Sequence, residues 1–462
     1  MSEYKCESGK PPVYVPHKPV TVVIGASFSV VSIMVANILR LFKIPQISYA
    51  STSTELSDKS RFEYFSRVVP PDNFQAQAMA EIVRELGWKY VSTVAVEGDY
   101  GEKGIASFIS IAAEAGICIG VSEKILRNSR TEDFDRIIER LLQKSQARAV
   151  IMFVDEDNTR KLLQASIRAN KTGHFLWIGS DSWGAKMYPV RDQEWAAEGA
   201  ITILPHRTAI EGFDRYYRSL RPRLDTDFCN ASQSNMPHGN RTGIELNCRN
   251  VWFREFWSQH NKCSFDNGKY PKKCTGTESI SDYDQEGLVP FVVDAVYAAA
   301  HALHDVIRDE CGRQGTEVKF NSDGDAFGSY NIYQYQRNNE KYDYIQIGSW
   351  KEILELNLSI TNWRESNEIP HSICSEPCPV GHIRNYQDQC CWICVSCRED
   401  AYVFNDTCRS CQPGYAPNTD KSDCVKLAAL VIEWLNPWAL VPLAFSGIGI
   451  LCTLFTTCVF IR

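Results

Sequence analysis

The sequence predicts an α/β fold built on a largely parallel sheet, followed by a disulfide-stapled segment and one membrane-spanning helix. Three observations lead to this prediction. Apolar strand-like runs alternate with helix-length segments from Val20 to Arg207, which is typical of a parallel sheet covered on both faces. Nine of the 18 cysteines fall between Cys374 and Cys424. The 23 residues from Ala439 to Ile461 carry no charge, which is enough to cross a bilayer.

The first predicted unit is a strand, a turn, a helix and a second strand. Val20–Ile24 and Ile44–Tyr49 are the strands, and Val31–Phe42 is the helix between them. The two strands are parallel, so the turn Gly25–Ser29 and the loop Ala50–Ser53 should lie side by side at the carboxyl edge of the sheet. Open α/β sheets bind their ligands at that edge.

These two loops carry groups that suit an α-amino acid. The serines of the turn and the N–H groups at the helix start favour a carboxylate. The carbonyl of Ala50 and the hydroxyl of Thr52 suit an ammonium group. The alternative is an ordinary βα turn beside an ordinary polar loop, and these loops alone favour that alternative because such turns are common.

The alternation continues through the next part of the chain. Further strands are predicted at Tyr90–Ala95, Ile117–Val121, Ala149–Val154 and Phe175–Gly179, and helices at Gly104–Ala115 and Arg160–Asn170. Glu97–Glu102 and Ser180–Gly184 are predicted exit loops. An irregular polar stretch, 225–247, indicates a surface insertion. Leu288–Val306 predicts a buried helix, since most of its faces are apolar, and Tyr330–Gln336 with Tyr342–Trp350 predicts an antiparallel pair.

Composition indicates an extracellular setting. The formal charge of −7 includes no basic tract, which excludes a nucleic-acid footprint. Dense cysteine favours disulfides over zinc, although Cys391, Cys394 and Cys397 have ligand-like spacing. Five Asn-x-Ser/Thr sequons agree, at Asn170, Asn230, Asn240, Asn357 and Asn405.

The two ends of the chain indicate how it is placed in the membrane and where its natural N-terminus lies. No secretory signal precedes Cys6, so we expect the natural N-terminus to lie upstream and the first sheet to be incomplete. Trp434 and Trp438 open the C-terminal apolar run and Arg462 closes it, which predicts a plasma-membrane protein with an extracellular N-terminus.

Several longer motifs point to one family. They are Ile24-Gly-Ala-Ser-Phe-Ser, Ile44-Pro-Gln-Ile-Ser-Tyr-Ala-Ser-Thr, Arg67-Val-Val-Pro-Pro-Asp, Glu97-Gly-Asp-Tyr-Gly-Glu, Gly179-Ser-Asp-Ser-Trp-Gly and Cys390-Cys391-Trp-Ile-Cys394. Over nearly its whole length the chain resembles the metabotropic glutamate receptors, which are class C G-protein-coupled receptors. The resemblance implies a two-lobed Venus-flytrap (periplasmic-binding-protein-like) domain, a cysteine-rich spacer and a membrane region, working as a disulfide-linked dimer.

The resemblance also implies domain bounds. These are lobe 1 (partial) at 1–66, lobe 2 at 67–207, the lobe 1 return with its glycosylated insertion at 208–329, the lobe 2 return and connector at 330–370, the cysteine-rich domain at 371–425 and the transmembrane helix at 438–461.

The same resemblance implies the ligand contacts. Ser29 and the Thr52 N–H match the contacts to the α-carboxylate, with Ser27 beside them. The Ala50 carbonyl, the Thr52 hydroxyl and the Asp181 carboxylate match the contacts to the amine, under the ring of Tyr100. Ser51 and Ser182 complete the predicted site. Taken singly, Asp181 would be a turn carboxylate and Tyr100 a packing residue; the matching set favours a ligand site.

The cysteines carry over in the same way. Cys6 matches an intersubunit cysteine, and Cys118 matches one that reaches Cys390 in the spacer. Cys311 has no obvious partner, and Cys229 and Cys248 are candidates to pair with each other. The remaining implied pairs are Cys374–Cys391, Cys378–Cys394, Cys397–Cys408, Cys411–Cys424 and Cys263–Cys274.

The leading functional hypothesis is extracellular sensing of L-glutamate or a similar amino acid, without a cofactor. The basic residues that hold the distal carboxylate in the family have no match here, and a G protein would couple only to a full-length form. The alternative is a truncated subunit, unable to signal, that dimerises with full receptors and dampens them. An enzyme is disfavoured: Glu97, Asp99 and Glu102 could imitate a catalytic acid pair, but no nucleophile elbow or phosphate loop accompanies them.

Overall fold

The computed structural model describes residues 20–222, 251–265, 269–280, 285–307, 320–338, 341–364, 368–387, 389–428 and 433–461. The chain divides into two compact units, Met1–Ile373 and Cys374–Arg462. The predictions for Cys6, Cys229, Cys248, Cys311, Asn230 and Asn240 fall outside the described residues.

A small parallel sheet forms the first lobe of the first unit. Its strands are β1 (Val23–Ile24), β2 (Gln46–Ser48) and β3 (Phe65–Arg67), in that spatial order. Helix α1 (Ser29–Leu41) connects β1 to β2, and both strand pairs are parallel. A 3₁₀ turn, Thr54–Ser57, follows β2. This arrangement confirms the predicted βαβ unit, although β1 is shorter than the apolar run that predicts it.

An eight-stranded mixed sheet forms the second lobe, in the order β11-β10-β9-β8-β7-β6-β4-β5. Its strands are β4 (Tyr90–Val96), β5 (Cys118–Ile125), β6 (Ala149–Phe153), β7 (Leu176–Gly179), β8 (Ile201–Pro205), β9 (Tyr330–Asn338), β10 (Lys341–Lys351) and β11 (Ile353–Leu356). The helices that follow β3 and accompany this sheet are α2 (Asp72–Glu85), α3 (Asp99–Glu114), α4 (Thr131–Leu142), α5 (Glu156–Arg168), α6 (Glu194–Ala197) and α7 (Glu211–Ser219).

Helices cover both faces of the eight-stranded sheet. One buried cluster joins α2 and α3 to the sheet through Met79, Phe108 and Phe153. The other joins α4 and α5 to the opposite face through Phe134 and Leu162. Two-sided burial is what a continuous apolar run such as Ala149–Phe153 requires, and every residue of that strand is buried.

The last three strands return to this sheet as an antiparallel meander. β9 pairs with β8 and β10 pairs with β9, both antiparallel, with a bulge between Gln346 and Gly348. β11 adds a third antiparallel edge strand. The predicted antiparallel pair is therefore confirmed, and it adds to the sheet of the second lobe.

Two helices complete the described part of the first unit, α8 (Val251–Asn261) and α9 (Val289–Ile307). Helix α9 packs Phe291, Ala295 and Ala299 against the first-lobe sheet. Its other side is exposed: Val296 and Tyr297 keep 50% and 59% of their surface. The prediction that this helix is buried was wrong, because the structure covers one of its faces only.

The predicted start of α3 was also wrong. The helix begins at Asp99, five residues before the predicted Gly104, because Gly98 takes the N-cap position at φ 116° and two acidic residues fall in the first turn. As a consequence Tyr100 lies on the first turn of a helix and not in a loop.

The described residues of the second unit form three small antiparallel hairpins and one long helix. The hairpin strands are β12 (His382–Tyr386), β13 (Trp392–Ser396), β14 (Ala401–Phe404), β15 (Thr407–Ser410), β16 (Tyr415–Pro417) and β17 (Cys424–Lys426). Helix α10 (Pro437–Ile461) is long and apolar enough to span a membrane. Four disulfides staple the hairpins, at Cys374–Cys391, Cys378–Cys394, Cys397–Cys408 and Cys411–Cys424.

Candidate functional site

The two loops predicted to be neighbours lie in direct contact at the carboxyl edge of the first-lobe sheet. The backbone N–H of Ser53 donates to the hydroxyl of Ser29 at 3.1 Å, and Ser29 is the first residue of α1. The loop also turns back on itself, because the N–H of Ser51 donates to the hydroxyl of Ser48 at 2.9 Å. Parallel pairing of β1 and β2 therefore brings the helix start and the Ala50–Ser53 loop together.

Two serines of this region serve the loop itself. The hydroxyls of Ser48 and Ser51 both donate to the carbonyl of Ala26, at 2.8 and 3.0 Å. The hydroxyl of Ser51 also lies 2.7 Å from that of Ser32. Ser51, predicted as a ligand contact, is fully buried, and its hydroxyl is occupied in holding the two loops together.

Other groups remain available to a ligand. Among the described residues, neither the N–H of Thr52 nor the carbonyl of Ala50 has a hydrogen-bond partner in the protein. Ser29 accepts from Ser53 and so keeps its own hydroxyl proton to donate. The turn that holds Ser27 leads into the first N–H groups of α1, which a helix leaves unpaired.

Tyr100 and Asp181 face each other in the second lobe. The phenol of Tyr100 lies 2.8 Å from Asp181 Oδ1 and 2.7 Å from the hydroxyl of Ser180. The ring of Tyr100 packs against Phe153 at a centroid distance of 5.8 Å. Ser182 lies close to both groups: its side chain acts to lower the pKa of Tyr100, and its backbone N–H acts to lower the pKa of Asp181. The structure thus brings together the three predicted second-lobe residues, Tyr100, Asp181 and Ser182.

A continuous chain of hydrogen bonds joins the first-lobe loop to Asp181. The N–H of Asp72 donates to the carbonyl of Thr52 at 2.8 Å. Gln75 then donates its amide N–H to Asp72 Oδ1 at 3.2 Å, and its amide oxygen accepts the N–H of Asp181 at 2.7 Å. Asp72 and Gln75 both lie on the first turn of α2 and are fully buried.

The electrostatics of this chain of hydrogen bonds favour a cationic ligand. Burial raises the pKa of Asp72 well above its usual value, and the neighbouring charge of Asp181 raises it further. Burial also raises the pKa of Asp181, and the hydrogen bond from Tyr100 only partly offsets this. The pKa of Tyr100 is raised well above its usual value by burial and by the two carboxylates. A bound cation would relieve these penalties.

The sequence prediction missed Asp72. Its Oδ2 atom is buried without a hydrogen-bond partner in the described part of the chain, and so is the phenol oxygen of Tyr330. An acid directly after Pro70 and Pro71 looks like an ordinary helix start, which explains the omission. The signal was nevertheless present, because the motif Arg67-Val-Val-Pro-Pro-Asp ends on this residue.

The assembled groups can hold the head group of an α-amino acid. Two carboxylates, the Ala50 carbonyl and the Tyr100 ring suit an ammonium. The Thr52 N–H, the Ser29 hydroxyl and the start of α1 suit a carboxylate. In the described residues, no cluster of three or more His, Cys, Asp or Glu side chains is placed to hold a metal ion. A cavity of about 210 Å³ lined by Arg148, Trp363 and Arg364 includes none of these groups.

The remaining predicted sites are surface or structural features. The sequon residues Asn170, Asn357 and Asn405 are exposed. Cys263–Cys274 forms a local disulfide in the first unit. Cys118 and Cys390 are each disulfide-bonded, and their mutual pairing stays a prediction.

Comparison with known families and proteins agrees with this arrangement. Residues 7–338 match the family described as receptor family ligand binding region, and residues 369–417 match the nine cysteines domain of family 3 GPCR. The chain is 45% identical to rat metabotropic glutamate receptor 8, and 46% identical to mouse metabotropic glutamate receptor 4, with 100% of this chain and 53% of each relative covered. It is 42% identical to rat metabotropic glutamate receptor 6, covering 99% of this chain and 55% of the relative.

The chain spans about half the length of these relatives. The family comprises plasma-membrane receptors with an extracellular ligand region, and its members are receptors and not enzymes. The apolar helix α10 agrees with placement in the plasma membrane. The first family match covers most of the chain, and the second falls on its cysteine-rich segment. The chain therefore belongs to the family of the metabotropic glutamate receptors, the class C G-protein-coupled receptors.

Proposed function

We propose that this chain binds an L-α-amino acid of the glutamate type between its two lobes. One observation carries the proposal: the hydrogen-bonded chain from Thr52 through Asp72 and Gln75 to Asp181, which holds the buried carboxylate of Asp72 and the partly buried carboxylate of Asp181 beside unpaired backbone groups. A buried carboxylate without a charge partner is costly, and an ammonium supplies that partner. Thr52 and Ser29 would hold the α-carboxylate in the same pose.

Preference for glutamate among amino acids rests on the names of the relatives, since the described head-group contacts would serve any L-α-amino acid.

The proposed response is closure of the lobes. The ligand would contact Ser29 and Thr52 on one lobe and Tyr100 and Asp181 on the other. It therefore favours the closed form by its differential affinity for that form. Transmission through a dimer of spacers to a G protein would require a full-length receptor.

The test is thermal unfolding of the full chain in detergent micelles, with L-glutamate, D-glutamate or no ligand. L-Glutamate at 100 times its dissociation constant should stabilise the folded chain by about 2.7 kcal/mol. D-Glutamate is the matched control, because it cannot place its ammonium and carboxylate on both sets of contacts at once. A cooperative unfolding transition that L-glutamate leaves unshifted would refute the proposal.

A second candidate function is pairing with a full-length receptor subunit. The supporting observation is the outer face of α1, where Met34, Ile38 and Leu41 keep 56%, 58% and 79% of their surface. These residues follow helical spacing and form one apolar stripe, which is a common feature of protein interfaces. Co-purification of the chain with a tagged full-length receptor, lost on Ile38→Asp, would support this role; an unchanged yield of the complex would count against it.

A further inference from the structure

Arg67 is a buried cation that the amino-acid site does not contact directly. It is the last residue of β3, and its side chain has no exposed surface. Its Nε atom lies 2.6 Å from Asp325 Oδ1, and the carboxylate of Asp325 is also buried. A buried ion pair by itself is weak evidence of a functional role, because desolvation of the two charges offsets much of their attraction.

The rest of the guanidinium group is directed at the ligand loop. Nη1 donates to the carbonyls of Ser51 and Ser53, at 3.0 and 2.8 Å, and these two residues flank Thr52. Nη2 donates to the hydroxyl of Ser57 at 2.6 Å. A planar group with fixed donors can hold two carbonyls and a carboxylate in one plane, whereas a lysine ammonium cannot. Arg67 therefore fixes the backbone on both sides of Thr52.

The other end of this network lies on a crossing between the lobes. Asp325 belongs to segment 320–329, which leads directly into β9 of the second lobe. The N–H of Arg67 donates to the carbonyl of Gly324 at 3.0 Å. The hydroxyl of Ser57 donates to Asp325 Oδ2 at 2.6 Å and so closes a ring of three side chains. The ligand loop is thereby tied to the chain segment that passes from one lobe to the other.

We propose that Arg67 is a positioning residue that aims the Thr52 N–H at the ligand and couples this loop to the interlobe crossing through Asp325. The inference rests on the proposed amino-acid site, which Arg67 serves without touching the ligand. If Arg67 only stabilised the first lobe, a variant without the charges of Arg67 and Asp325 would fold and bind L-glutamate like the parent. If Arg67 positions the loop, the same variant would fold like the parent, but the backbone around Thr52 would be more mobile.

The experiment compares three forms of the full chain in detergent micelles: the parent, the double variant Arg67→Gln/Asp325→Asn, and Arg40→Gln. Arg40 is the matched control, because its side chain is exposed on α1 of the same lobe and donates to the carbonyl of Arg61, outside 50–57. The double variant leaves no unpaired buried charge, so it should melt within a few degrees of the control. Hydrogen–deuterium exchange of the amides in 50–57, without ligand, should become at least tenfold faster in the double variant only. The Kd for L-glutamate should rise at least tenfold.

A double variant that folds with parent-like exchange over 50–57 would overturn the inference. If the double variant does not fold, Ser57→Ala decides instead. That change removes the hydrogen bond that Ser57 accepts from Arg67 and the one that it donates to Asp325, and exchange over 50–57 should rise about threefold. Unchanged exchange would again overturn the inference. Failure of the parent to bind L-glutamate would refute the proposed function alone, since the exchange measurement needs no ligand.

Discussion

Asp181 is the residue on which the proposed amino-acid binding would depend most directly. Its carboxylate accepts from Tyr100 at 2.8 Å, and its backbone N–H ends the hydrogen-bonded chain from Thr52. We expect Asp181→Asn to weaken L-glutamate binding by about 3–5 kcal/mol, or more than a hundredfold in Kd, because a buried ammonium loses its counter-charge. Isothermal titration calorimetry on the full chain measures this change.

The matched control for this prediction is Asp192→Asn, which removes a carboxylate of the same lobe whose side chain is 81% exposed. This variant should bind like the parent. Equal affinities of Asp181→Asn and the parent would remove Asp181 from the site.

Asp72 should make binding and stability respond to pH in opposite directions. Its raised pKa means that the folded chain holds a proton which the unfolded chain has already released. Stability of the ligand-free chain should therefore fall as pH rises from the ordinary aspartate range through the raised pKa. Ammonium binding requires the ionised carboxylate, so affinity for L-glutamate should rise over that same interval.

Asp72→Asn separates these two effects in a single variant. It should raise the melting temperature of the ligand-free chain at neutral pH, flatten the pH dependence of that temperature, and weaken L-glutamate binding. Melting curves and calorimetric titrations at several pH values provide the measurement. A variant that is less stable than the parent at every pH would show that the buried Asp72 carboxylate does not destabilise the folded chain.

Among the elements, the start of α3 packs closely against the neighbouring strand β4. A Cβ on Gly101 would lie 2.1 Å from the carbonyl oxygen of Val96, so this glycine allows the helix to approach β4 and places Tyr100 over the site. We expect Gly101→Ala to destabilise the chain by about 1–3 kcal/mol, as overpacking does, and to weaken L-glutamate binding. Chemical denaturation and calorimetry test the two parts.

Gly212 in α7 provides the matched control, because a Cβ there would meet no atom within 4 Å. Gly212→Ala should stabilise the chain by about 0.5–1 kcal/mol through helix propensity. If both alanine variants had the same effect on stability, the close approach at Gly101 would not constrain α3.

The elements also show what could be predicted from the sequence and what could not. The alternation of apolar runs and helix-length segments predicts the parallel strands β4, β6 and β7, because burial on both faces imposes a continuous apolar run. The start of α3 was not predicted, since an acidic loop and an acidic first turn have the same composition.

The roles of individual side chains in the site could not be predicted from the sequence either. Ser51 and Thr52 are adjacent residues with chemically similar side chains. The hydroxyl of Ser51 hydrogen-bonds within the protein, whereas the backbone N–H of Thr52 is unpaired. Only tertiary contacts decide between these roles. Asp72 is a further example, because the residues that interact with it electrostatically include Asp181 and Tyr330, which lie far along the chain.

On the scale of the whole molecule, the C-terminal helix makes the final testable claim. Cys452 and Cys458 are free and exposed on α10, which carries no charged residue. If this helix spans a bilayer, both thiols lie in the hydrocarbon region, where a water-soluble reagent does not reach them. A water-soluble maleimide should therefore leave both cysteines unlabelled in intact vesicles and label both after solubilisation in sodium dodecyl sulfate.

The positive control for labelling is Glu132→Cys, an exposed position on α4 of the ligand-binding unit. This thiol should react in intact vesicles from the outside, since α10 would anchor the chain with its ligand-binding unit in the extracellular solution. Labelling of Cys452 and Cys458 in intact vesicles at the rate of this control would mean that α10 is in water. In that case the exposed apolar surface of α10 would need a protein partner, because a helix apolar on every side is not stable in solution.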